Sequence, residues 1–267
     1  MPPLELKTKN KRKEYPMERI QRRRCNLVLH CGAAAVDREE VAKVATPKRT
    51  ATWTPISHLT LVDTVEQALR STSLEIGSQV HSLSHDGARY FGLTEVKGFQ
   101  EDYTWVLGLR NSHDKRFPAG IVAGASVFVC DNLSFSGEVR LSRKHTLHLR
   151  RDLPQLAARA VGQLMDCWHR QDKRIDAYKN YRLGDLIAHD LVIRAVDVGA
   201  CSNRLLPAVL KEWREPSHSE FQDRSAWSLF NGFTEVLKGN LPELPRRTEA
   251  LHALFDAQVG LTGRYLN

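Results

Sequence analysis

The spacing of apolar residues predicts a helix in the first third of the chain. From about residue 61 to 72 an apolar side chain recurs every three or four positions, which places these side chains on one helix face. Thr60 stands directly before this run and is a suitable N-cap residue. A shorter helix of one or two turns is predicted to start near Asp37. The apolar positions of the longer helix are Leu61, Val62, Val65, Ala68 and Leu69.

The next part of the chain has the pattern of an antiparallel sheet. His85-Asp86-Gly87 predicts a tight turn between two strands, which would form a hairpin. Small residues between Gly120 and Val129 suit a buried central strand. We therefore expect four or five strands. In chain order they span about 74–80, 88–96, 103–110, 120–129 and 138–141.

From residue 152 onward the pattern is helical throughout. Asp152 is a suitable N-cap residue, and Pro154 is tolerated in the first turn. Apolar residues then recur at helical spacing for up to about 28 residues, which is long enough to lie across a sheet. Strands followed by helices are typical of the α+β class rather than of a doubly wound parallel sheet. Shorter helices are predicted at about 186–196, 205–213, 225–238 and 247–257.

The expected architecture is an α+β fold with an N-terminal helix, an antiparallel sheet of four to five strands, a long helix packed across it and a helical C-terminal part. We divide the chain into a basic disordered tail at 1–24, an α+β core domain at 25–183 and a helical C-terminal subdomain at 184–267. The content of 42% hydrophobic and 26% charged residues is ordinary for a globular protein.

Targeting signals and cysteine usage favour a cytoplasmic protein. The basic N-terminus lacks the apolar core of a signal peptide, and no apolar run approaches the length of a transmembrane helix. Five cysteines without a framework spacing fit a reduced compartment. We therefore expect no membrane partner.

Positive charge is concentrated in two segments. The net charge is +8, from 39 Lys and Arg against 31 Asp and Glu. Residues 1–24 contain nine basic residues and three acids, a net of +6, and residues 140–151 contain five basic residues and no acid, which leaves a net of −3 elsewhere. Such a distribution is expected of a protein that contacts phosphates. A solubilising tail and a solvated turn would show the same charges.

Three polar clusters are candidates for chemistry. They span 110–115, 127–132 and 143–146, and the first two follow or end apolar strands. Structural roles are the alternative, since Asn and Asp suit turns and Cys130 is more typical of a buried side chain than of a nucleophile. In a meander the 110–115 and 130–132 segments lie at opposite ends of a strand, so we expect that they need not meet.

Common catalytic signatures are absent from the sequence. It contains no phosphate-binding glycine loop, no nucleophile elbow, no helical zinc-protease motif and no dinucleotide-binding glycine pattern. We predict no cofactor and no metal.

Aromatic residues offer a second route to nucleic-acid binding. Tyr103 and Trp105 share one face of a predicted strand and would stack on bases if that face were open, with Tyr90 or Phe91 extending the platform. Core packing is nevertheless the expected role of Tyr103 and Trp105, as it is of Trp53, Trp168, Trp213 and Trp227, and base stacking is the alternative.

The three polar clusters resemble those of the phage/plasmid-like proteins of domain-of-unknown-function family 932. That family has an N-S-x-D turn after a hydrophobic strand and an apolar strand ending in V-C-x-N, which are Asn111–Asp114 and Val129–Asn132 here. A late N-A-x-T-E-like pattern is similar to Asn231–Glu235, with Gly232 where the family often has Ala. The similarity extends from about Thr46 to Asp256. It implies a protein of mobile elements or the accessory genome, and it implies no activity.

The leading hypothesis is a nucleic-acid-binding protein. The predicted element order is similar to the core of phage single-strand annealing proteins, which form rings that hold single-stranded DNA, although no motif carries this comparison. We therefore expect a homo-oligomer that binds nucleic acid, with single-stranded DNA favoured, in recombination, annealing or replication. The expected contact residues are Arg110, Asn111, Lys115, Arg140, Arg143, Lys144, His145, Arg150 and Arg151.

Two other hypotheses stay open. An enzyme acting on nucleic acid would use titratable groups at strand ends as acid, base or metal ligands, and its candidates are His113, Asp114, Asp131 and His145. An assembly or regulatory protein without catalytic activity would bind another protein through its C-terminal helices.

Overall fold

The fold is seen in a computed structural model, which describes residues 33–72, 74–97, 103–127, 133–238 and 243–261. At 126–127 and 133–141 the description is limited to the backbone. The tail predicted at 1–24 lies outside the described residues, and so do Cys130, Asp131 and Asn132.

One antiparallel sheet of six strands forms the centre of the described fold. Its spatial order is the chain order, so the sheet is a meander. The α+β class is confirmed, whereas the strand count is six and not four or five. The additional strand is Ala34–Val36, which is too short to show an alternating pattern. The strands are β1 (Ala34–Val36), β2 (Ile76–Ser84), β3 (Arg89–Val96), β4 (Tyr103–Ser112), β5 (Ala119–Val127) and β6 (Leu133–Arg143).

Helices precede and follow the central strands. The short helix expected near Asp37 is present, and Asp37 closes a capping box with Glu40. The next helix begins at His58 and not at 61, because the Ser57 hydroxyl accepts a hydrogen bond from the Thr60 N–H and is the N-cap. The helices are α1 (Arg38–Lys43), α2 (His58–Arg70), α3 (Leu149–Gly162), α4 (Leu164–Asn180), α5 (Asp185–Asp197), α6 (Leu206–Arg214), α7 (Ala226–Val236) and α8 (Leu244–Gln258).

The predicted long helix is present as a bent pair, α3 and α4. It begins at Leu149, four residues before the start expected after an N-cap at Asp152, and it is interrupted at Gln163. There the Gln163 N–H bonds the Ala160 carbonyl, which is one residue closer than in a regular α-helix.

Helices α2 and α4 pack on the same face of the sheet. The Trp105 ring on β4 stacks on Trp168 of α4 with ring centroids 5.4 Å apart, and the Tyr103 hydroxyl bonds Asp172. The register places Ala123 and Ala125 of β5 beside this aromatic pair, and both are fully buried. Small side chains on β5 therefore leave room for the helix layer.

Gly92 on β3 provides a test of this packing. A Cβ atom at position 92 would overlap the hydroxyl of Tyr90, which is fully buried and hydrogen-bonded to His81 Nδ1 at 2.8 Å. We expect Gly92→Ala to lower the free energy of unfolding by about 1–3 kcal/mol, the usual cost of overpacking. Gly162→Ala is the control, since no atom lies within 4 Å of its added Cβ. Gly162→Ala should raise the free energy of unfolding by about 0.5–1 kcal/mol, because alanine suits a helical site better than glycine. Urea unfolding measures the change in both variants.

Candidate nucleic-acid interface

Three segments of the chain meet at one end of the sheet. The β4–β5 turn at 113–118 lies beside the residues that follow β6, because Arg143 pairs with Ala119 at the start of β5. The segment that leads into α2 joins them, since the Thr54 N–H donates to the His145 carbonyl oxygen at 2.8 Å. The first and third predicted clusters therefore lie together.

Three buried histidines, His58, His113 and His145, form a histidine cluster at this junction. The rings of His58 and His113 stack with centroids 3.9 Å apart. The backbone of Ile56 connects the cluster: its carbonyl accepts from Asn111 Nδ2 at 3.0 Å and from His113 Nε2 at 2.9 Å. The Ile56 N–H donates to His145 Nδ1 at 3.4 Å. The cluster thus holds the segment before α2 against the sheet.

The histidine cluster is uncharged at neutral pH. His58 donates from Nε2 to the Gly87 carbonyl at 2.8 Å, and its Nδ1 accepts from Asn111 Nδ2 at 3.0 Å, which fixes a neutral tautomer. Burial lowers the pKa of His58 to about 4 and the pKa of His145 to about 4, and it also lowers the pKa of His113. Within the described residues, no group of three or more His, Cys, Asp or Glu side chains is arranged to hold a metal.

Asp114 has a structural role in the β4–β5 turn. It accepts hydrogen bonds from the Ser112 hydroxyl at 2.5 Å and the Arg116 N–H at 3.1 Å, and it pairs with Arg89 at 2.6 Å. Partial burial acts to raise the pKa of Asp114, but these hydrogen bonds and the Arg89 guanidinium hold it below its usual value. Three hydrogen bonds within the fold therefore occupy most of the acceptor sites of this carboxylate.

Asp131 of the second cluster lies outside the described residues. The strand ends before and after it are Val127, which pairs with Tyr103, and Leu133, which pairs with Ser126. These strand ends lie at the opposite end of β4 from Asp114, and a ten-residue strand is roughly 30 Å long.

Eight exposed cations lie on the segments that meet at the histidine-cluster end of the sheet, and we call this set the basic rim. They come from three segments: the approach to Trp53, the β4–β5 turn, and the region from the end of β6 into α3. The members of the rim are Lys48, Arg49, Lys115, Arg116, Arg143, Lys144, Arg150 and Arg151.

Most of the basic rim has no acidic partner. Arg151 pairs with Asp152 at 2.8 Å, and Arg143 lies 3.9 Å from the same carboxylate. The neighbouring Arg151 guanidinium lowers the pKa of Asp152. Within the part of the chain that the structure describes, the other six cations form no ion pair. They are Lys48, Arg49, Lys115, Arg116, Lys144 and Arg150.

The predicted contact residues divide into exposed and interior groups. Lys115, Arg143, Lys144, Arg150 and Arg151 belong to the basic rim. The prediction that Asn111 and His145 contact nucleic acid is corrected, because both side chains are buried. Their polar groups form hydrogen bonds within the histidine cluster.

The two remaining predicted arginines lie on strands. Arg110 pairs with Phe91 across β3 and β4, and its guanidinium stands 5.4 Å from the Phe117 ring centroid, on the sheet face opposite Asn111. The backbone of Arg140 pairs with Val122, and its side chain lies outside the described part.

The predicted aromatic platform is covered. Tyr103 and Trp105 are each 4% exposed beneath α4, so neither ring is open to a base. Tyr90 is fully buried between β3 and α2, and Phe91 packs on Phe117 with centroids 5.3 Å apart.

Sequence reasoning missed the rim residues outside the basic segment. Lys48, Arg49 and Arg116 were not among the predicted contacts, and Trp53 was assigned to the core although it is half-buried beside Lys115. The close spacing of Lys48, Arg49 and Trp53 in a loop was the available signal. This spacing indicates a binding surface only together with residues from distant parts of the chain, which the fold brings next to it.

No protein-family model, curated protein or solved structure matches this chain at a significant level. Across the described residues, none of the helices combines the length and apolar character needed to span a membrane.

Proposed function

We propose that the chain binds nucleic acid along the basic rim, with single-stranded DNA favoured. The observation that carries the proposal is that three separate segments bring exposed cations, which form no ion pair with any described residue, to one end of the sheet. Lys and Arg bind phosphate oxygens, and the counterions released from the polymer supply much of the binding free energy.

The histidine cluster supports this proposal because it fixes the three segments relative to one another. His145 and Ile56 connect the approach to α2 with the end of β6, and His113 connects both to the β4–β5 turn. Cations on a rigid frame lose less conformational freedom on binding than cations on mobile loops.

We further propose that the protein acts in recombination, annealing or replication of a mobile element, as a cytoplasmic homo-oligomer. This role rests on the resemblance to family 932 and on the order of elements, and the rim chemistry is compatible with it. The enzyme and protein-binding hypotheses stay predictions.

Removing two rim cations should weaken binding in a salt-dependent way. We expect Arg116→Ala with Lys144→Ala in the full chain to lower the affinity for a dT oligonucleotide about 25-fold near 0.1 M salt. The slope of log affinity against log salt should fall in magnitude by about 1.4, because each contact to a single strand contributes about 0.7. Fluorescence anisotropy across about 50–300 mM salt measures both quantities.

A matched variant separates rim binding from general charge. Lys173→Ala with Arg204→Ala also removes one exposed Lys and one exposed Arg, and neither belongs to the rim. This variant should bind within about twofold of the wild type, since distant surface charges are screened at this salt. Equal losses in both double variants would contradict the rim, and no binding of any oligonucleotide at about 50 mM salt would exclude the proposed function.

A further inference from the structure

Trp53 differs from the other tryptophans of the chain in its surroundings. The other four are no more than 7% exposed and belong to the core. Trp53 is half-buried and lies in the segment between Lys48 and α2, at the basic rim. A ring in this position is not needed to fill the core.

The backbone on both sides of Trp53 is held in place. The Thr50 N–H donates to the Trp53 carbonyl at 2.8 Å, which closes a turn, and the Thr54 N–H donates to the His145 carbonyl at 2.8 Å. The indole contacts the His145 ring, with centroids 6.0 Å apart and planes tilted by 52°. The indole is therefore supported from within by the histidine cluster.

A rim cation stands over the Trp53 ring. Lys115 Nζ lies 5.0 Å from the ring centroid, in the range of a cation–π contact. Lys115 has a positive φ of 64°, so the tight β4–β5 turn directs the side chain from a backbone conformation that few residues adopt. Lys48 and Arg49 are exposed in the segment that precedes Trp53, five and four residues before it in the chain.

We propose that Trp53 stacks on a base of a single-stranded nucleic acid, while Lys115 moves from the ring to an adjacent phosphate. The proposal rests on the function proposed for the basic rim and adds the part of the ligand that is recognised. Aromatic side chains beside cations are the usual means of holding single strands, because every base has a stacking face. In a duplex these faces are covered by neighbouring base pairs, so Trp53 should favour single strands.

The test uses quenching of the intrinsic fluorescence of the full chain. All five tryptophans emit, but the other four are buried in the fold, so only the Trp53 ring can be quenched by stacking directly on a base. The titrations use a dT oligonucleotide, a U oligonucleotide, a duplex and an abasic oligonucleotide of equal length. We expect dT and U to quench the fluorescence, and the abasic strand to bind without quenching. The duplex should bind without quenching, and quenching by the duplex as strong as that by dT would contradict stacking on an unpaired base.

Two substitutions locate the effect at Trp53. Trp53→Leu should lower the affinity for dT roughly 10- to 100-fold and abolish the quenching, while the affinity for the abasic strand stays within about twofold. Trp53→Phe should recover part of the dT affinity, because a smaller ring still stacks. Unchanged abasic binding also shows that the variant has kept the rim.

The failure of this inference is distinct from the failure of the proposed function. If dT and the abasic strand bind equally, with a steep salt dependence, and Trp53→Leu changes neither, the rim binds phosphate and the base site is wrong. Quenching that persists in Trp53→Leu would likewise overturn it. If no strand binds, the abasic strand included, the function proposed for the rim has failed.

Discussion

Arg174→Met is expected to lower the free energy of unfolding by about 3–5 kcal/mol, since it would leave a buried carboxylate without its partner. Arg174 on α4 pairs with Asp256 on α8 through Nε at 2.9 and 3.0 Å and through Nη2 at 2.8 Å. The two side chains are only 5% and 9% exposed. A bidentate pair of this kind has strong, charge-assisted hydrogen bonds. Without Arg174, the buried carboxylate of Asp256 would lose its partner and destabilise the folded state.

The surrounding hydrogen bonds make this site sensitive to the loss of Arg174. Gln171 Oε1 accepts from Arg174 Nη1 at 2.7 Å, and Gln171 Nε2 donates to His252 Nε2 at 3.1 Å. The Tyr178 hydroxyl donates to Asp256 at 2.7 Å. Burial and the Arg174 charge lower the pKa of His252, which keeps this histidine neutral. Removing Arg174 therefore disturbs groups on both α4 and α8.

Urea unfolding of three variants checks this expectation. Arg204→Met is the control, because Arg204 is exposed and such surface changes alter stability by no more than about 0.5 kcal/mol. The double variant Arg174→Met with Asp256→Leu should recover much of the loss, since an apolar pair of similar size removes the isolated charge. A loss below about 1 kcal/mol for Arg174→Met alone would contradict the assignment of this pair as a stabilising contact between α4 and α8.

Helices with one buried face were predictable from local pattern alone. The apolar repeat at 61–69 corresponds to α2, in which Leu61, Val65 and Leu69 have no exposed surface. Burial of one face produces this periodicity, so the sequence carries it directly. The start of α2 was predicted three residues late because two nearby residues, Ser57 and Thr60, both suit an N-cap, and only the backbone path selects Ser57.

The meeting of His113 with His145 was not predictable in the same way. Thirty-two positions separate the two residues in the sequence, and their proximity depends on the pairing of β5 with β6 and on the return of β6 to the same sheet end. A change in the number of strands would have placed them at opposite ends. Residues that share a site through sheet topology have no common local signal, which also explains why Trp53 was assigned to the core.

Acidification is expected to destabilise the protein strongly through the histidine cluster. An unfolded histidine has a pKa of about 6.5, whereas burial lowers the pKa of His58 and of His145 to about 4 in the folded chain. Between these values the unfolded chain binds more protons, so stability falls as the pH falls. Each of the two histidines should lower the free energy of unfolding by about 1.4 kcal/mol for each unit that the pH falls between the two pKa values. Above pH 6.5 none of this stability is lost.

Geometry explains why a proton is so poorly tolerated in this cluster. A proton added to His58 Nδ1 would face the Asn111 amide donor, and a proton added to His145 Nδ1 would face the Ile56 N–H. In each case two N–H donors would then face each other, and the hydrogen bond that the neutral ring nitrogen had accepted would be lost. Both sites hold the segment that carries Trp53, because the Ile56 N–H contacts His145 and the Ile56 carbonyl contacts Asn111, so this segment should open first.

Urea unfolding at about pH 7, 6 and 5 measures the effect, and the variant His58→Gln with His145→Gln isolates it. The double variant should be less stable than the wild type at pH 7 because buried hydrogen bonds are lost. Its stability should then fall less steeply below pH 6.5, by up to about 2.8 kcal/mol per pH unit, since two titrating groups are absent. His169→Gln removes an imidazole from the exposed side of α4 and is the matched control. Parallel pH profiles for the wild type and the double variant would show that the cluster does not govern acid sensitivity.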